Sequence, residues 1–201
     1  MKARALSPWH AAHAVSAIEE DAKECDISVL KGGSGVIDKS YVHLMSRYNE
    51  WQNVNLYGAA DKLSDEERKR ACGAFFGSIH ATLDHLLWGD QIWMSRFAAT
   101  PKPDGGIKDS VSRHPVWEDL KRERVAFDRV MLEWASHLDP NWLEGDLTYF
   151  SGAAKREIKA AKWLLVTHMF NHQTHHRGQV HCMLTQSGAK PGDTDLPFMQ
   201  L

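Results

Sequence analysis

Apolar and polar positions recur along most of the chain with the period of an α-helix. Tyr41, Leu44, Met45, Tyr48, Trp51 and Asn55 fall at spacings of three and four, which predicts a first core helix over residues 39–60. Ser64 and Glu67 stand at capping-box spacing and open a long second helix over about 65–98. Its apolar residues, from Phe75 and Phe76 through Leu83, Leu87 and Trp93 to Phe97, cover much of its circumference, so it should sit centrally or against a partner. Thr100–Pro101–Lys102–Pro103–Asp104–Gly105–Gly106 ends it, and a long connection follows to His114. Pro115 reads as a first-turn proline of a third helix over 115–138, with Trp117, Leu120, Phe127, Met131, Trp134 and Leu138 on one side. Alternation at Leu147 and Tyr149 and a Ser151–Gly152 turn signal suggest a small hairpin or an irregular arm in 146–159. A fourth helix runs over about 160–187 and stops at Ser187–Gly188. The tail from Ala189 to Leu201 should pack back as irregular chain.

Four helices with one long crossover between the second and third predict an all-α four-helix bundle in which those two run parallel. We read residues 39–201 as this bundle and residues 1–38 as an N-terminal appendage. The appendage has a possible helix over 8–24 and a glycine-rich hinge at Lys31–Gly32–Gly33–Ser34–Gly35.

Composition narrows the function. The formal net charge is -2 with no long run of one sign, so the basic face that a nucleic-acid binder needs is not visible. Lys121–Arg122–Glu123–Arg124 is interrupted by an acid and preceded by Glu118 and Asp119, and reads as a solvated helix face. Cys25, Cys72 and Cys182 are scattered, which argues against a disulfide framework or a thiolate zinc site; Cys72 and Cys182 are expected to be packed. No apolar run approaches the ~20 residues of a membrane span. A cytoplasmic protein with no nucleic-acid or membrane partner is expected.

Histidine is in excess. Of 12 in the chain, His168, His172, His175, His176 and His181 fall within the fourth helix. On a helical wheel His172 and His176 share a stripe with Leu165, Met169, Val180 and Met183, while His168 and Gln179 lie at its edge. Imidazoles at i and i+4 on an otherwise apolar stripe need hydrogen-bond partners or a metal. Spacing alone leaves both readings open, a metal pair or two satisfied core histidines.

The stretch Phe170–Asn171–His172–Gln173–Thr174–His175–His176–Arg177–Gly178–Gln179 resembles the histidine motif of the DinB/YfiT-like family. Tyr48–Asn49–Glu50–Trp51, the segment Phe75 to Leu87, and the tail at Asp193–Asp195–Leu196 are similar to the family in the same order. The resemblance covers about residues 41–201. It implies a four-helix bundle, often a homodimer, that holds a divalent metal through three histidines: His172, His176 and, from the second helix, His85. It also implies that the protein uses or transfers low-molecular-weight thiols or acts as another metal-dependent enzyme. The wheel does not by itself choose His85 over His80.

Three neutral imidazoles would leave a position for water or substrate, the pattern of a catalytic site. Zinc is the first expectation for the ion, with nickel, iron or manganese as alternatives. Bound water could approach a pKa near 7, or a substrate thiol could be held as thiolate. Gln179, Asp90 and His168 are candidates for supporting the ligands or the small-molecule substrate. For Gln179 a helix–helix hydrogen bond is the competing reading. For Asp90 it is a pair with a lysine or arginine. Arg177 points off the stripe and reads as a surface or dimer contact. The competing functions are a non-catalytic metal-binding or stress-associated protein, and a helical dimerisation module.

Overall fold

The computed structural model describes residues 36–200. The expectations placed on the possible helix over 8–24, the glycine hinge and Cys25 lie outside the described residues. The elements are α1 (Lys39–Ala60), the short α2 (Asp65–Lys69), α3 (Ile79–Phe97), α4 (Trp117–His137), β1 (Asp146–Ser151), β2 (Arg156–Ala161) and α5 (Lys162–Gln186). Single 3-10 turns occupy Pro140–Leu143 and Leu196–Phe198.

The first, third and fourth predicted helices and the hairpin are present. Asp38 caps α1 by accepting from the Tyr41 amide at 2.8 Å, and β1 and β2 pair antiparallel. The long second helix is corrected: the chain breaks it into α2 and α3. Ser64 does form a capping box with Glu67, but that helix ends at Lys69. Gly73 and Gly77 then adopt positive φ of 74° and 83°, which side-chain-bearing residues rarely take, and the chain turns back on itself. Ser78 starts α3 afresh by accepting from the Ala81 amide. The start of α4 is corrected by a smaller amount. Pro115 lies outside it, and Val116 precedes its first residue.

Side-chain pairings fix the directions of the four long helices. Tyr41 meets Phe170 and Asn49 meets Arg177, so α1 and α5 run parallel. Tyr57 stacks on Trp117 while Asn53 bonds Asp128, so α1 and α4 run antiparallel. His80 meets Trp117 and Phe97 meets Trp134, so α3 and α4 run parallel, as the long crossover requires. Helices α1 and α3 each pack against α4 and α5.

Two apolar clusters fill the interior. One gathers Leu56, Ile79, Leu83, Leu87, Leu120 and Val180, among others. The second gathers Val42, Met94, Phe97, Met131, Met169 and Phe170, among others. A polar layer also lies inside the bundle, contributed by all four long helices. Asp90 accepts from Arg124 at 2.7 Å and from Gln173 at 2.6 Å. Arg124 also pairs with Asp128 at 2.8 Å, which accepts from Asn53 at 2.9 Å. Arg177 donates to Asn49. Two arginines and two aspartates thus meet as a buried set in which the charges balance, the condition for burying them at all. Two expectations are corrected here. Arg124 is not on a solvated face, since it is 2% exposed. Arg177 is not a surface residue, since it is 4% exposed and also meets the Tyr48 ring.

The crossover between α3 and α4 lies over α3 and explains why that helix is buried nearly all round. Asp84, buried, accepts from the His114 amide at 2.9 Å and pairs with its Nδ1 at 2.7 Å. His80 bonds the His114 carbonyl, and Arg113 donates to Gln91. The tail returns along α1 as expected, where Gln52 donates to the Asp193 carbonyl and Tyr48 to that of Thr194. Cys72 is half-buried, but Cys182 is exposed, against the expectation that it packs.

Candidate metal centre

His172 and His176 sit one turn apart on α5 and face α3, where the antiparallel packing brings His85 up to them. Ligand atoms of the three side chains all lie within 4.8 Å of one another. The Nε2 atoms of His85 and His172 are 3.3 Å apart. His176 packs its ring 4.5 Å from that of His172 and 5.0 Å from that of His85. Two metal–nitrogen bonds of about 2.0–2.1 Å meeting at the tetrahedral angle hold their nitrogens about 3.3–3.4 Å apart.

Neighbouring groups set the protonation of two rings. Ser110, buried in the crossover, donates its hydroxyl proton to the Ile107 carbonyl at 2.7 Å. Its oxygen, 2.7 Å from His85 Nδ1, is therefore left to accept, so His85 carries its proton on Nδ1 and turns the Nε2 lone pair to the cluster. His176 Nδ1 lies 2.9 Å from Gln179 Oε1, an oxygen that only accepts, while the Gln179 amide faces His175. The Nε2 of His176 is left unprotonated in the same way. Such partners orient metal-binding imidazoles and raise their basicity.

The His172 ring is held by shape. A Cβ placed on Gly89 would stand 3.1 Å from His172 Cε1, so α3 needs glycine there for the ring to enter. Its Nδ1 is buried and makes no hydrogen bond among the described residues. Phe76, from the turn before α3, lies 3.8 Å from the His85 ring and 5.2 Å from that of His176 and covers one side.

Burial keeps these rings neutral, the form that binds a metal. His85 is pushed down to about 4, chiefly by desolvation and then by His176. His172 is pushed down to about 3 by desolvation and then by the surrounding imidazoles, His176 first. Desolvation also lowers His176, against the opposing hydrogen bond that it donates to Gln179.

The structure therefore joins His85, the partner that spacing alone left undecided, to His172 and His176. His80, near the start of α3, lies apart and bonds the crossover instead. Gln179 bonds candidate ligand His176 and, along its own helix, His175; it does not bridge helices. Asp90 pairs with Arg124 and Gln173, not with a candidate ligand. His168 is exposed, with its ring 6.2 Å from that of His172 and 5.1 Å from that of Trp93. Sequence reading missed Ser110, Gly89 and Phe76. Only Gly89 left a trace, as a lone glycine inside a helical pattern.

A family model described as the DinB family matches residues 37–200. The chain belongs to the DinB family. It is 22% identical over 149 residues to Protein DinB of Bacillus subtilis (strain 168), a match that spans 74% of this chain and 87% of that protein. The crystal structure of a DinB-like protein from Bacillus cereus ATCC 10987 superposes with a TM-score of 0.55 at 15% identity, covering 71% of this chain and 90% of the other. That likeness supports the all-α fold. The histidine group is compatible with a divalent metal on its own geometry. No helix among the described residues is long and apolar enough to cross a membrane.

Proposed function

We propose that this DinB-family chain is a metal-dependent enzyme whose ion, zinc first and nickel, iron or manganese as alternatives, is held by His85, His172 and His176. The observation that carries the reading is the 3.3 Å approach of two imidazole nitrogens from different helices. The Ser110 hydroxyl beside His85 supports a lone pair on one of them. The donor set fits the group: nitrogen ligands at a spacing that suits tetrahedral coordination, with two of the three rings oriented from behind.

All three ligands are neutral, so a bound divalent ion would keep its full charge and lower the pKa of a coordinated water or thiol. The protein's residues supply the rest. Ser110 and Gln179 hold the ring nitrogens in register, Phe76 excludes water from one side, and the covered crossover keeps the rings neutral. This favours a small-molecule substrate attacked by, or transferred to, a thiolate of low molecular weight; a small hydrolase using hydroxide is the second enzymatic form. A homodimer in the cytoplasm remains part of the proposal, and light scattering tests the dimer.

Protein purified without a histidine tag should carry one divalent ion per chain by elemental analysis. His172→Ala and His85→Ala should each remove it. Full metal content in either variant would end the assignment. A panel of thiols and electrophiles, run with and without the metal, separates an enzyme from a non-catalytic metal-binding or stress-associated protein. A helical dimerisation module would bind no ion at all.

A further inference from the structure

Near the end of α3 a charged side chain has no counter-ion among the described residues. The guanidinium of Arg96 lies 4.4 Å from the centre of the Trp93 ring and 4.2 Å from that of Tyr149 on β1. Among the described residues Arg96 makes no side-chain hydrogen bond and no ion pair. Other arginines so placed, Arg70, Arg129 and Arg156, are exposed, whereas Arg96 is half-buried. Two aromatic faces hold the plane of the guanidinium and leave its N–H edge without an acceptor.

A row of rings runs from Arg96 to the histidine group. The Trp93 ring packs 5.1 Å from the ring of His168, and that ring lies 6.2 Å from His172. His168 is exposed while Trp93 is buried, so the row reaches solvent at His168, between α3 and α5.

We infer that Arg96 is the subsite for a carboxylate on the substrate, whose reacting end lies at His85, His172 and His176. This rests on the metal-dependent reading above. A single fork suits a singly charged, planar carboxylate, which takes two parallel N–H bonds from one guanidinium. His168 and Trp93 then line the stretch between the two ends of the substrate. The opposing view is that Arg96 only clasps the hairpin to α3 through its two rings.

Two measurements test this. In cobalt-loaded protein, ω-mercaptocarboxylates of graded chain length are compared with the matching ω-mercaptoalcohols, following the thiolate-to-cobalt absorption band. Short pairs should bind alike. Beyond a threshold length the carboxylate should bind about tenfold or more tightly. Arg96→Gln and Arg96→Met should erase that preference and leave cobalt content unchanged. In metal-free protein, octanoate against octanol, read by tryptophan fluorescence, reports the fork alone, with the same preference and the same loss expected. No preference at any length, or a preference that survives in both variants, overturns the proposal. So does a loss of the folded circular-dichroism signal in both, which would mark Arg96 as a clasp. Failure of cobalt to bind while octanoate is still preferred would refute the metal centre and with it the substrate assignment, leaving only an anion site. Cobalt and thiolate binding with no carboxylate preference would refute Arg96 and leave the centre.

Discussion

The Nε2 of His85 stands 3.3 Å from the Nε2 of His172, although 87 positions separate the two residues in the chain. With the His85 lone pair turned toward its neighbour by Ser110, something positive must lie between the rings: a proton on His172, or a cation. A neutral His172 can put its one proton on Nε2 and donate it to His85, which leaves His172 Nδ1 as a buried lone pair with no donor among the described residues. A cation held jointly with His176 satisfies all three nitrogens at once.

Ser110→Ala should weaken the metal without removing it. The hydroxyl is the hydrogen-bond partner of His85 Nδ1, and losing such a partner typically lowers affinity by about 10–100-fold. Competition against a chromophoric chelator measures this. Unchanged affinity would show that the crossover does not orient His85.

Gly89 makes a contrasting case, in which stability and metal affinity should part. Alanine favours a helix interior over glycine by about 1 kcal/mol, yet its Cβ would press on His172 Cε1 at 3.1 Å. Gly89→Ala should therefore unfold at equal or higher urea concentration when metal-free, and bind the ion more weakly. Gly89→Val should fail to bind it. If both variants bound metal as the parent does, the fit of His172 against α3 would not matter to the site.

Much of this was legible in the periodicity, and the failures have physical causes. His172 and His176 stood out because they occupy an apolar stripe. His85 did not, because α3 is buried nearly all round: the crossover covers its polar side through Asp84, His80 and Gln91, so a wheel cannot tell the interior from a covered face. Arg124 was hidden by its charged neighbours, although it falls in helical register with Trp117, Leu120, Phe127 and Met131. Its burial depends on Asp90 from another helix, which no local pattern reveals. The break between α2 and α3 rested on two glycines in left-handed backbone, where the apolar pattern ran on through Phe75 and Phe76.

The buried charge layer yields the largest expected stability effect. Arg124→Met leaves Asp90 and Asp128 without their shared cation in the bundle interior. Breaking a buried pair by removing one partner costs about 3–5 kcal/mol, to be read as a lower urea midpoint at an unchanged slope. Arg124→Lys should recover only part of this, because one ammonium does not reproduce the fork that reaches both carboxylates. A loss below about 1 kcal/mol in the methionine variant would mean that water enters the layer and screens it.

Acid should destabilise the metal-free protein through the same three rings that are proposed to hold the ion. In the unfolded chain a histidine takes up a proton as pH falls through about 6.5, whereas folded His85 and His172 stay neutral until pH nears about 4 and about 3. Between those limits the unfolded state binds more protons, so stability falls as pH falls. Asp128 works in the opposite direction: burial raises it to about 6, so it gains its proton earlier in the folded state than in the unfolded one. The histidine share is isolated by comparing the parent with a His85→Gln/His172→Gln variant, both metal-free, in urea titrations at pH 7 and pH 4.5. The parent should lose more stability on acidification than the variant. The bound ion should leave over the same range, because protons compete for the same nitrogens. Equal losses in the two proteins would mean that these rings are as free to take up protons in the folded chain as in the unfolded one, and that the cluster is open to water.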